Sequence, residues 1–382
     1  MDEPLTKLNV TSCDVLGPLP DPFGKQDGTR VKDPAEWEDQ RSALLKTAVE
    51  LQYGTMPPEP EFLETETLYE SPETYGFMIH TGKKNAPVSF KLRVRLPKKR
   101  EGSVPVIVIG DGCWAYMENE AYMNAALNEG VGFAVFDRTE LAHDVRNEGR
   151  HCGPLYRTYP EYTFGAIGAW AWGYSRAVDA LEKIGLPIDL NWIVFAGHSR
   201  GAKTAALAGA IDRRARIVNP NSTCAGACGC YRIHMKAVYG NEPERRSETL
   251  DDLMGRFSFW MGPEMERYRL SEETLPFDAH FLKALVAPRI LYVSEALGDV
   301  WANPVGSYVT TLAAREVYRF LHAEDKLYWS FREGFHAHMP QDIANLVAVL
   351  KHEREGAPLK SGFYGAPAEE IRFPFGWKAP GA

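Results

Sequence analysis

The sequence contains no run of about 18 apolar residues, so none of its segments is expected to span a membrane. Positive charge is also in short supply, because 43 Lys and Arg face 51 Asp and Glu, for a formal charge of −8. Nucleic acid binding requires a basic face, so this balance argues against a nucleic acid partner. The N-terminus, MDEPLTKLNV, has neither the basic nor the apolar region of a secretory signal. A cytoplasmic location is therefore favoured, although a chain that has already been processed would be secreted or periplasmic.

Cysteine is scarce as well, and a long chain with six cysteines and no secretory signal is not expected to be a disulfide scaffold. Cys224, Cys228 and Cys230 lie close together, but a structural zinc site usually needs a second, distant pair of ligands. We interpret these three as small thiols buried in a loop and predict no metal site. The sequence has no phosphate-binding loop and no G-x-G-x-x-G segment between a strand and a helix, so no cofactor is predicted.

What the sequence does contain is an alternation of two patterns. Short apolar runs rich in β-branched residues are typical of strands buried in a parallel sheet. Between them lie longer segments with apolar residues three and four positions apart, as in amphipathic helices. The predicted strands are residues 88–97, 104–110, 131–137, 192–197, 214–220, 287–295 and 326–333, and the predicted helices are residues 35–54, 165–185, 200–210, 307–321 and 341–355. This order predicts an α/β fold, in which helices cover both faces of a mostly parallel sheet.

The chain is interpreted as one domain over residues 1–382. Residues 1–85 are predicted to be an N-terminal extension with one helix. Residues 231–285 interrupt the alternation of strands and helices, and are predicted to be an insertion over the active site. Residues 356–382, rich in proline and glycine, are predicted to form an irregular tail. The sequence indicates neither an oligomeric state nor whether residues 231–285 form a mobile lid.

One motif carries chemistry: Gly197-His198-Ser199-Arg200-Gly201 matches G-x-S-x-G. A buried strand precedes it and a helix of small residues follows it, which is the setting of the nucleophile elbow of α/β-hydrolases. The sharp turn is expected to lift the Ser199 hydroxyl above the sheet. The backbone N–H of Arg200, at the start of the next helix, would then face the oxyanion of a reacting ester.

A serine hydroxyl needs a base, and the base needs a carboxylate to orient it. In this fold the acid and then the histidine follow the serine along the chain, each in a loop after a strand. Asp299 and His336 both lie just beyond predicted strands and satisfy this order. His338 competes with His336 for the role of base, and we prefer His336 because it directly follows the turn that leaves the strand. Glu295 is the alternative to Asp299.

A second oxyanion donor is expected from the loop after an early strand. Residues 104–110 lead into Asp111-Gly112-Cys113, where glycine lets backbone amides approach a substrate. We therefore predict Gly112 as a second donor. Asp111 could instead only stabilise the turn.

Residues from about 35 to 352 resemble carbohydrate esterase family 15, the glucuronoyl esterases. The family's nucleophile motif is G-C-S-R-x-G-K, and this chain has G-H-S-R-G-A-K in residues 197–203. The segments WAWGYSRAVDALE, LPFDAHFLKALVAPR and GDVWANP are also similar to those of the family. The resemblance implies an α/β-hydrolase that cleaves the ester joining lignin alcohols to 4-O-methyl-glucuronic acid on xylan.

The resemblance also implies roles for individual residues. Ser199 would be the nucleophile and His336 the base, and Arg200 would stabilise the oxyanion through both its amide and its guanidinium. Lys203, one helical turn after the serine, would hold sugar hydroxyls, and Trp301 would lie against the sugar. From the residues alone, Lys203 could equally be a solvated helix lysine, and Trp301 could equally be a core residue.

The sequence departs from the family at the triad acid. Many members place a Glu ten residues before an Arg, and here counting back from Arg232 leads to Ser222. Serine cannot supply a fixed negative charge, so Asp299 is expected to take the role. His198 also replaces the cysteine that the family has before the nucleophile.

The leading hypothesis is a serine carboxylesterase that cleaves esters of glucuronic acid, so that its partner is a small-molecule or carbohydrate ester. One alternative is an esterase for another acyl group, such as an acetylated sugar or a small aromatic ester. The other is a catalytically inactive carbohydrate-binding homologue. The serine at position 222, where many family members have a glutamate, favours this alternative.

Overall fold

The computed structural model describes residues 7–146, 151–359 and 361–381. The described chain forms twelve strands: β1 (Asn9–Val15), β2 (Phe62–Glu70), β3 (Thr74–Lys83), β4 (Ala86–Arg95), β5 (Val104–Ile109), β6 (Gly132–Phe136), β7 (Ile188–His198), β8 (Ala215–Asn221), β9 (Ile233–Val238), β10 (Arg245–Arg246), β11 (Ile290–Ala296) and β12 (Leu327–Arg332). Its α-helices are α1 (Trp37–Leu44), α2 (Leu51–Tyr53), α3 (Glu120–Leu127), α4 (Pro154–Thr158), α5 (Ala166–Ile184), α6 (Arg200–Ile211), α7 (Leu250–Phe257), α8 (Ala279–Ala284), α9 (Pro304–Phe320) and α10 (Pro340–Glu355).

A nine-stranded sheet in the order β12-β11-β8-β7-β5-β6-β4-β3-β2 forms the centre of the protein. The six strands from β12 to β6 are parallel, and β4, β3 and β2 extend the sheet as antiparallel strands. The six parallel strands are those predicted from short apolar runs, because a strand covered on both faces must be apolar on both. These predictions are confirmed, as is β4.

Helices cover both faces of this sheet, as expected for an α/β-hydrolase fold. One apolar cluster joins the sheet to α5 and α6, and a second joins its other face to α3 and α10. Close packing explains the small residues of α6, since a β-carbon at Gly209 would overlap Val218 of the adjacent strand. The fold is therefore a three-layer sandwich whose parallel strands all point their carboxyl ends to one edge, where ligands of such sheets bind.

The N-terminal segment contains more than the single helix expected for residues 1–85. That helix is present, but a π-helical turn, Leu45–Glu50, separates α1 from α2. In addition, the segment supplies β1, β2 and β3. The side chains of β2 are mostly exposed, so this strand lacks the apolar pattern by which a buried strand is recognised. Residues 1–6, which the signal-peptide argument used, lie outside the described residues.

Residues 231–285 form β9, β10, α7, α8 and several short 3₁₀ turns. Strand β9 pairs with β1 and β10 in a separate three-stranded antiparallel sheet. Two aromatic side chains of this segment, Phe257 and Trp260, lie against the guanidinium of Arg200. The segment therefore contributes residues beside the nucleophile elbow.

The C-terminal tail runs along the edge strand β12. The Tyr364 N–H donates to the Trp329 carbonyl at 2.9 Å, and Ser330 and Phe363 form an isolated antiparallel bridge. Further along, Trp377 packs edge-on against Phe23 near the other end of the chain. Apart from such bridges, residues 356–359 and 361–381 contain no helix or strand.

Over the described ranges, no helix has the length and apolarity needed to cross a bilayer.

Candidate active site

The nucleophile elbow is the sharp turn between β7, which ends at His198, and α6, which begins at Arg200. Ser199 has φ 57° and ψ −119°, a strained conformation for a non-glycine residue. Its neighbours must be small, because a β-carbon at Gly197 would overlap the Gly201 carbonyl. The predicted strand–turn–helix is confirmed.

The side chain of Asp111 stabilises this turn through hydrogen bonds. Its carboxylate accepts a hydrogen bond from the His198 N–H at 2.9 Å and others from the Tyr116 hydroxyl and the guanidinium of the fully buried Arg138. A β-carbon at Gly201 would overlap this carboxylate, so the helix starts directly against it. These contacts support the role of Asp111 in stabilising the turn.

Ser199, His336 and Asp299 form a hydrogen-bonded chain at the carboxyl edge of the sheet. The Ser199 hydroxyl donates to His336 Nε2 at 2.9 Å, and His336 Nδ1–H donates to Asp299 Oδ2 at 2.5 Å. Asp299 is buried, whereas His336 is partly exposed to solvent. The structure thus brings together the three side chains chosen from the sequence, and the contact to His336 comes from Asp299 and not from Glu295.

Arg332 fixes the loop that carries His336. Its guanidinium donates to the carbonyls of Glu333, Phe335 and Ala337, and its Nε donates to the buried Asp342. Because these bonds join alternate residues of the loop to the end of β12, the loop has little freedom to move the imidazole. Hydrogen bonds to the backbone carbonyls on both sides of His336 therefore hold this histidine in place.

Two further histidines lie beside the base but do not reach the serine. His198 donates from Nδ1 to Asn221 Oδ1 at 2.7 Å, and His338 contacts the Tyr122 hydroxyl through its own Nδ1 at 3.1 Å. Burial, followed by the charge of His336, lowers the pKa of His198 to about 3. Burial likewise lowers the pKa of His338 well below its ordinary value. Both rings are neutral near pH 7 and do not oppose a positive charge on His336.

The oxyanion donors differ in part from those predicted. The N–H of Arg200 is the first of α6 and therefore has no acceptor within the helix. The N–H of Gly112 instead donates to the Phe136 carbonyl at 3.0 Å. The prediction for Gly112 is wrong in this structure, because its amide joins the turn to β6 and is not free to bind an oxyanion. Arg200 Nε, which is buried, has no hydrogen-bond acceptor within the described part of the chain.

Lys203 lies one turn after Ser199 and is buried, so it is not a solvated helix lysine. Its ammonium donates to the carbonyls of Thr223 and Ala225, and lies 3.7 Å from a carboxylate oxygen of the buried Glu248. Trp301 is half-buried beside Arg246 and Arg256, whose guanidinium carbons lie 5.5 and 4.9 Å from its ring. The Glu248 N–H also donates to the Trp301 carbonyl at 3.0 Å. Lys203, Glu248 and Trp301 therefore form one polar group near the serine.

The family model described as "Glucuronyl esterase, fungi" matches residues 79–322. The chain belongs to the glucuronoyl esterase family. This confirms the family and the fold inferred from the motifs, and members of the family are carboxylic ester hydrolases.

Individual relatives agree with this membership. The chain is 29% identical over 83% of its length to a 4-O-methyl-glucuronoyl methylesterase of Podospora anserina, of which it spans 63%. It is 28% identical over 84% of its length to 4-O-methyl-glucuronoyl methylesterase 1 of Wolfiporia cocos, of which it spans 76%. Among solved structures, a family 15 glucuronoyl esterase from Caldicellulosiruptor kristjansonii is similar with a TM-score of 0.77, 28% identity, and coverage of 90% of this chain and 92% of that chain.

A serine and a second carboxyl group lie close to Asp299. Ser222 follows β8, and the register pairs Asn221 with Ser294, so Ser222 lies opposite Glu295 at the end of β11. Both side chains are buried, and Ser222 Oγ and Glu295 Oε2 have no hydrogen-bond partner in the described ranges. Glu295 Oε1 accepts from the Ser307 hydroxyl at 2.9 Å. The second carboxyl therefore lies beside the triad without contacting His336.

Replacing Glu295 by glutamine should stabilise the protein at alkaline pH. Burial, followed by the charge of Asp299, raises the pKa of Glu295 to about 8, whereas an unfolded chain releases this proton near pH ~4.3. The folded state therefore holds an extra proton between these values, and the free energy of unfolding falls as pH rises through them. Glutamine removes this loss, which is about 2–4 kcal/mol. Urea denaturation at about pH 5 and about pH 8 measures it, and an equal effect of the substitution at both pH values would contradict it.

The three clustered cysteines are buried, as predicted, and all are free thiols. Burial raises the pKa of Cys224, Cys228 and Cys230 above the ordinary thiol value. Across residues 7–146, 151–359 and 361–381, no group of three or more His, Cys, Asp or Glu side chains is arranged to bind a metal ion.

Sequence reasoning missed several residues of the site. Asp144 binds the Arg200 guanidinium, Trp260 packs on it, and Glu248 faces Lys203. Asp144 follows β6 at the carboxyl edge of the sheet, a position that could have marked it. Trp260 and Glu248 lie in residues 231–285, where no motif separates them from other aromatic and acidic residues.

Proposed function

We propose that this protein is a serine carboxylesterase that hydrolyses esters of glucuronic acid through an acyl-enzyme. The observation that carries the proposal is the hydrogen-bonded chain from Ser199 Oγ through His336 to Asp299 at the carboxyl edge of the sheet. Membership of the glucuronoyl esterase family supports the reaction class. The names of the relatives, 4-O-methyl-glucuronoyl methylesterases, support a carbohydrate ester as the substrate.

The reaction proceeds in two displacements. Ser199 Oγ attacks the ester carbonyl carbon while its proton passes to His336 Nε2, and the carbonyl oxygen becomes an oxyanion. Collapse of this intermediate breaks the ester bond, and the departing alcohol takes the proton from His336. Water then attacks the acyl-enzyme with His336 again as the base, and this releases the uronic acid and restores the serine.

The charges around the site suit each of these steps. Asp299 stabilises the imidazolium that His336 becomes, and the neutral rings of His198 and His338 add no repulsion. The N–H of Arg200 and its guanidinium supply the donors for the oxyanion, in a partly buried position where such bonds are strongest. Lys203, Glu248 and Trp301 offer donors, an acceptor and an aromatic ring to a sugar bound as the acyl group.

The proposal is tested by substrate preference. For each ester, kcat/KM is divided by the rate constant of its uncatalysed hydrolysis. We expect this ratio to be higher for benzyl glucuronate than for 4-nitrophenyl acetate. Replacing Lys203 by methionine should lower kcat/KM for the glucuronate about 10-fold more than for the acetate, because only the sugar ester loses hydrogen bonds. Lys183→Met is the matched control, because Lys183 on α5 donates to the Leu63 carbonyl of β2.

Each alternative gives a different result. Equal losses for both esters in Lys203→Met would favour an esterase for another acyl group, such as an acetylated sugar or a small aromatic ester. No turnover of any of these esters, together with retained binding of glucuronate, would favour an inactive carbohydrate-binding homologue.

A further inference from the structure

The guanidinium of Arg200 is bordered by three aromatic rings and one carboxylate. Its central carbon lies 4.7 Å from the Trp260 ring, 5.4 Å from Phe257 and 5.7 Å from Trp114. Arg200 Nη1 donates to Asp144 Oδ2 at 2.9 Å. The rings stabilise the cation by cation–π contact. Such contacts alone do not prevent the guanidinium from rotating within its own plane. The carboxylate supplies that constraint.

Asp144 is itself held from two sides. Trp260 Nε1–H donates to Asp144 Oδ1 at 2.9 Å, so each carboxylate oxygen has its own donor. Arg138 Nη2 lies 3.9 Å from Oδ2, and the Asp144 side chain is only 10% exposed. Trp260 in turn stacks on Phe257 with 3.9 Å between ring centroids and 5° between planes. Rotation of Asp144 would therefore break bonds on both sides of it.

One donor of Arg200 remains unused in this arrangement. Nε is buried and has no acceptor within the described chain, whereas Nη1 is engaged with Asp144. A guanidinium has a rigid, planar set of five N–H groups, so fixing Nη1 also fixes the direction of Nε–H. Arg200 directly follows the nucleophile, and its side chain is 29% exposed, so the guanidinium can reach a charge that develops beside Ser199 only during the reaction.

We propose that Asp144 is a positioning residue that holds the Arg200 guanidinium beside the nucleophile elbow so that it stabilises the oxyanion. The inference rests on the proposed esterase function and deepens it, since Asp144 contacts no reacting atom and acts through Arg200. Trp260 completes the arrangement by fixing the other oxygen of the carboxylate. A long arginine side chain otherwise loses considerable rotamer entropy on being fixed in the transition state, and this structure orders it beforehand.

The test compares steady-state kinetics of the parent protein, Asp144→Asn and Asp144→Ala on benzyl glucuronate. An oxyanion donor is worth roughly 10²–10³ in kcat, so misdirecting one should lower kcat about 10- to 100-fold. KM should change less than about 3-fold, because the donor acts on the transition state more than on the bound ester. Asp179→Asn is the matched control, since each carboxylate oxygen of Asp179 on α5 likewise has its own donor, in this case Arg176 and Arg214.

A double-mutant cycle distinguishes positioning from general stability. If Asp144 acts through Arg200, the variant carrying both Arg200→Ala and Asp144→Ala should be no slower than Arg200→Ala alone. Additive losses in kcat would overturn the inference, as would full activity of Asp144→Ala. If the Asp144 variants do not fold, Trp260→Phe carries the test, because it keeps an aromatic ring at this position and removes the N–H. A fall in kcat of about 3- to 10-fold supports the inference, and an unchanged kcat overturns it.

These outcomes are separate from failure of the proposed function. A parent protein that hydrolyses no ester would contradict the proposed function itself. A parent protein that is active, with Asp144 and Trp260 variants equally active, would contradict only the inference about Asp144.

Discussion

Replacing Ser199 by alanine should abolish ester hydrolysis by this protein. Ser199 Oγ is the hydroxyl that the structure places at His336 Nε2, and alanine leaves no atom to form the acyl-enzyme. In serine hydrolases, loss of the nucleophile lowers kcat by about 10⁶, and the remainder comes from binding and oxyanion donors. His336→Ala should have an effect of similar size, because serine and histidine act as a unit. The measurement is kcat on benzyl glucuronate and on 4-nitrophenyl acetate.

Covalent labelling provides the control for this result. A fluorophosphonate probe should label the parent protein at Ser199 and fail to label Ser199→Ala. Ser42→Ala is the matched control, since this serine lies on α1 and donates only to the Glu38 carbonyl. Turnover or labelling that survives in Ser199→Ala would contradict the assignment of the nucleophile and, with it, the proposed mechanism.

Replacing Asp299 by asparagine should lower kcat by about 10⁴. The carboxylate accepts from His336 Nδ1–H at 2.5 Å and is almost fully buried. An amide of the same shape removes the negative charge that stabilises the imidazolium. It can also turn an N–H₂ group towards Nδ1, which favours the wrong tautomer of the base. The expected loss is about 5.5 kcal/mol of transition-state stabilisation, and it is measured as kcat at a pH where the parent protein is most active.

Glu295→Gln is the control for this second experiment, because it removes the neighbouring buried carboxyl group while Asp299 remains. We expect a loss in kcat far smaller than that of Asp299→Asn, since Glu295 bonds Ser307 and not His336. A nearly unchanged kcat for Asp299→Asn would contradict the assignment of Asp299. A large loss in Glu295→Gln alone would transfer the role to Glu295.

The sheet and the order of the site residues could be predicted because their signals are local. A buried parallel strand must be apolar along its length, and an elbow needs small residues on both sides of the serine. Asp299 and His336 could be chosen because parallel strands end at one edge, so loops distant in sequence meet there. These arguments depend on position along a strand, which a sequence shows directly.

Other features could not be predicted because they depend on contacts between distant segments. The N–H of Gly112 turns towards β6, and no pattern in residues 104–113 shows the direction of that amide. Lys203 is buried only because the loop after β8 folds over it and offers carbonyls. The antiparallel pair β1 and β9 joins residues far apart in the chain, with alternating or exposed side chains that also occur in loops.

The C-terminal tail has a consequence for how the protein can be handled. Strand β12 is at the end of the sheet and five of its six residues are buried, and an uncovered edge strand of this kind is a template for intermolecular pairing. The backbone bridges at Phe363 and Tyr364 cap it. Shortening the chain to the end of α10 would therefore leave β12 as an unpaired edge strand. Self-association of such a truncated protein would reflect the loss of this cover and not damage to the catalytic residues.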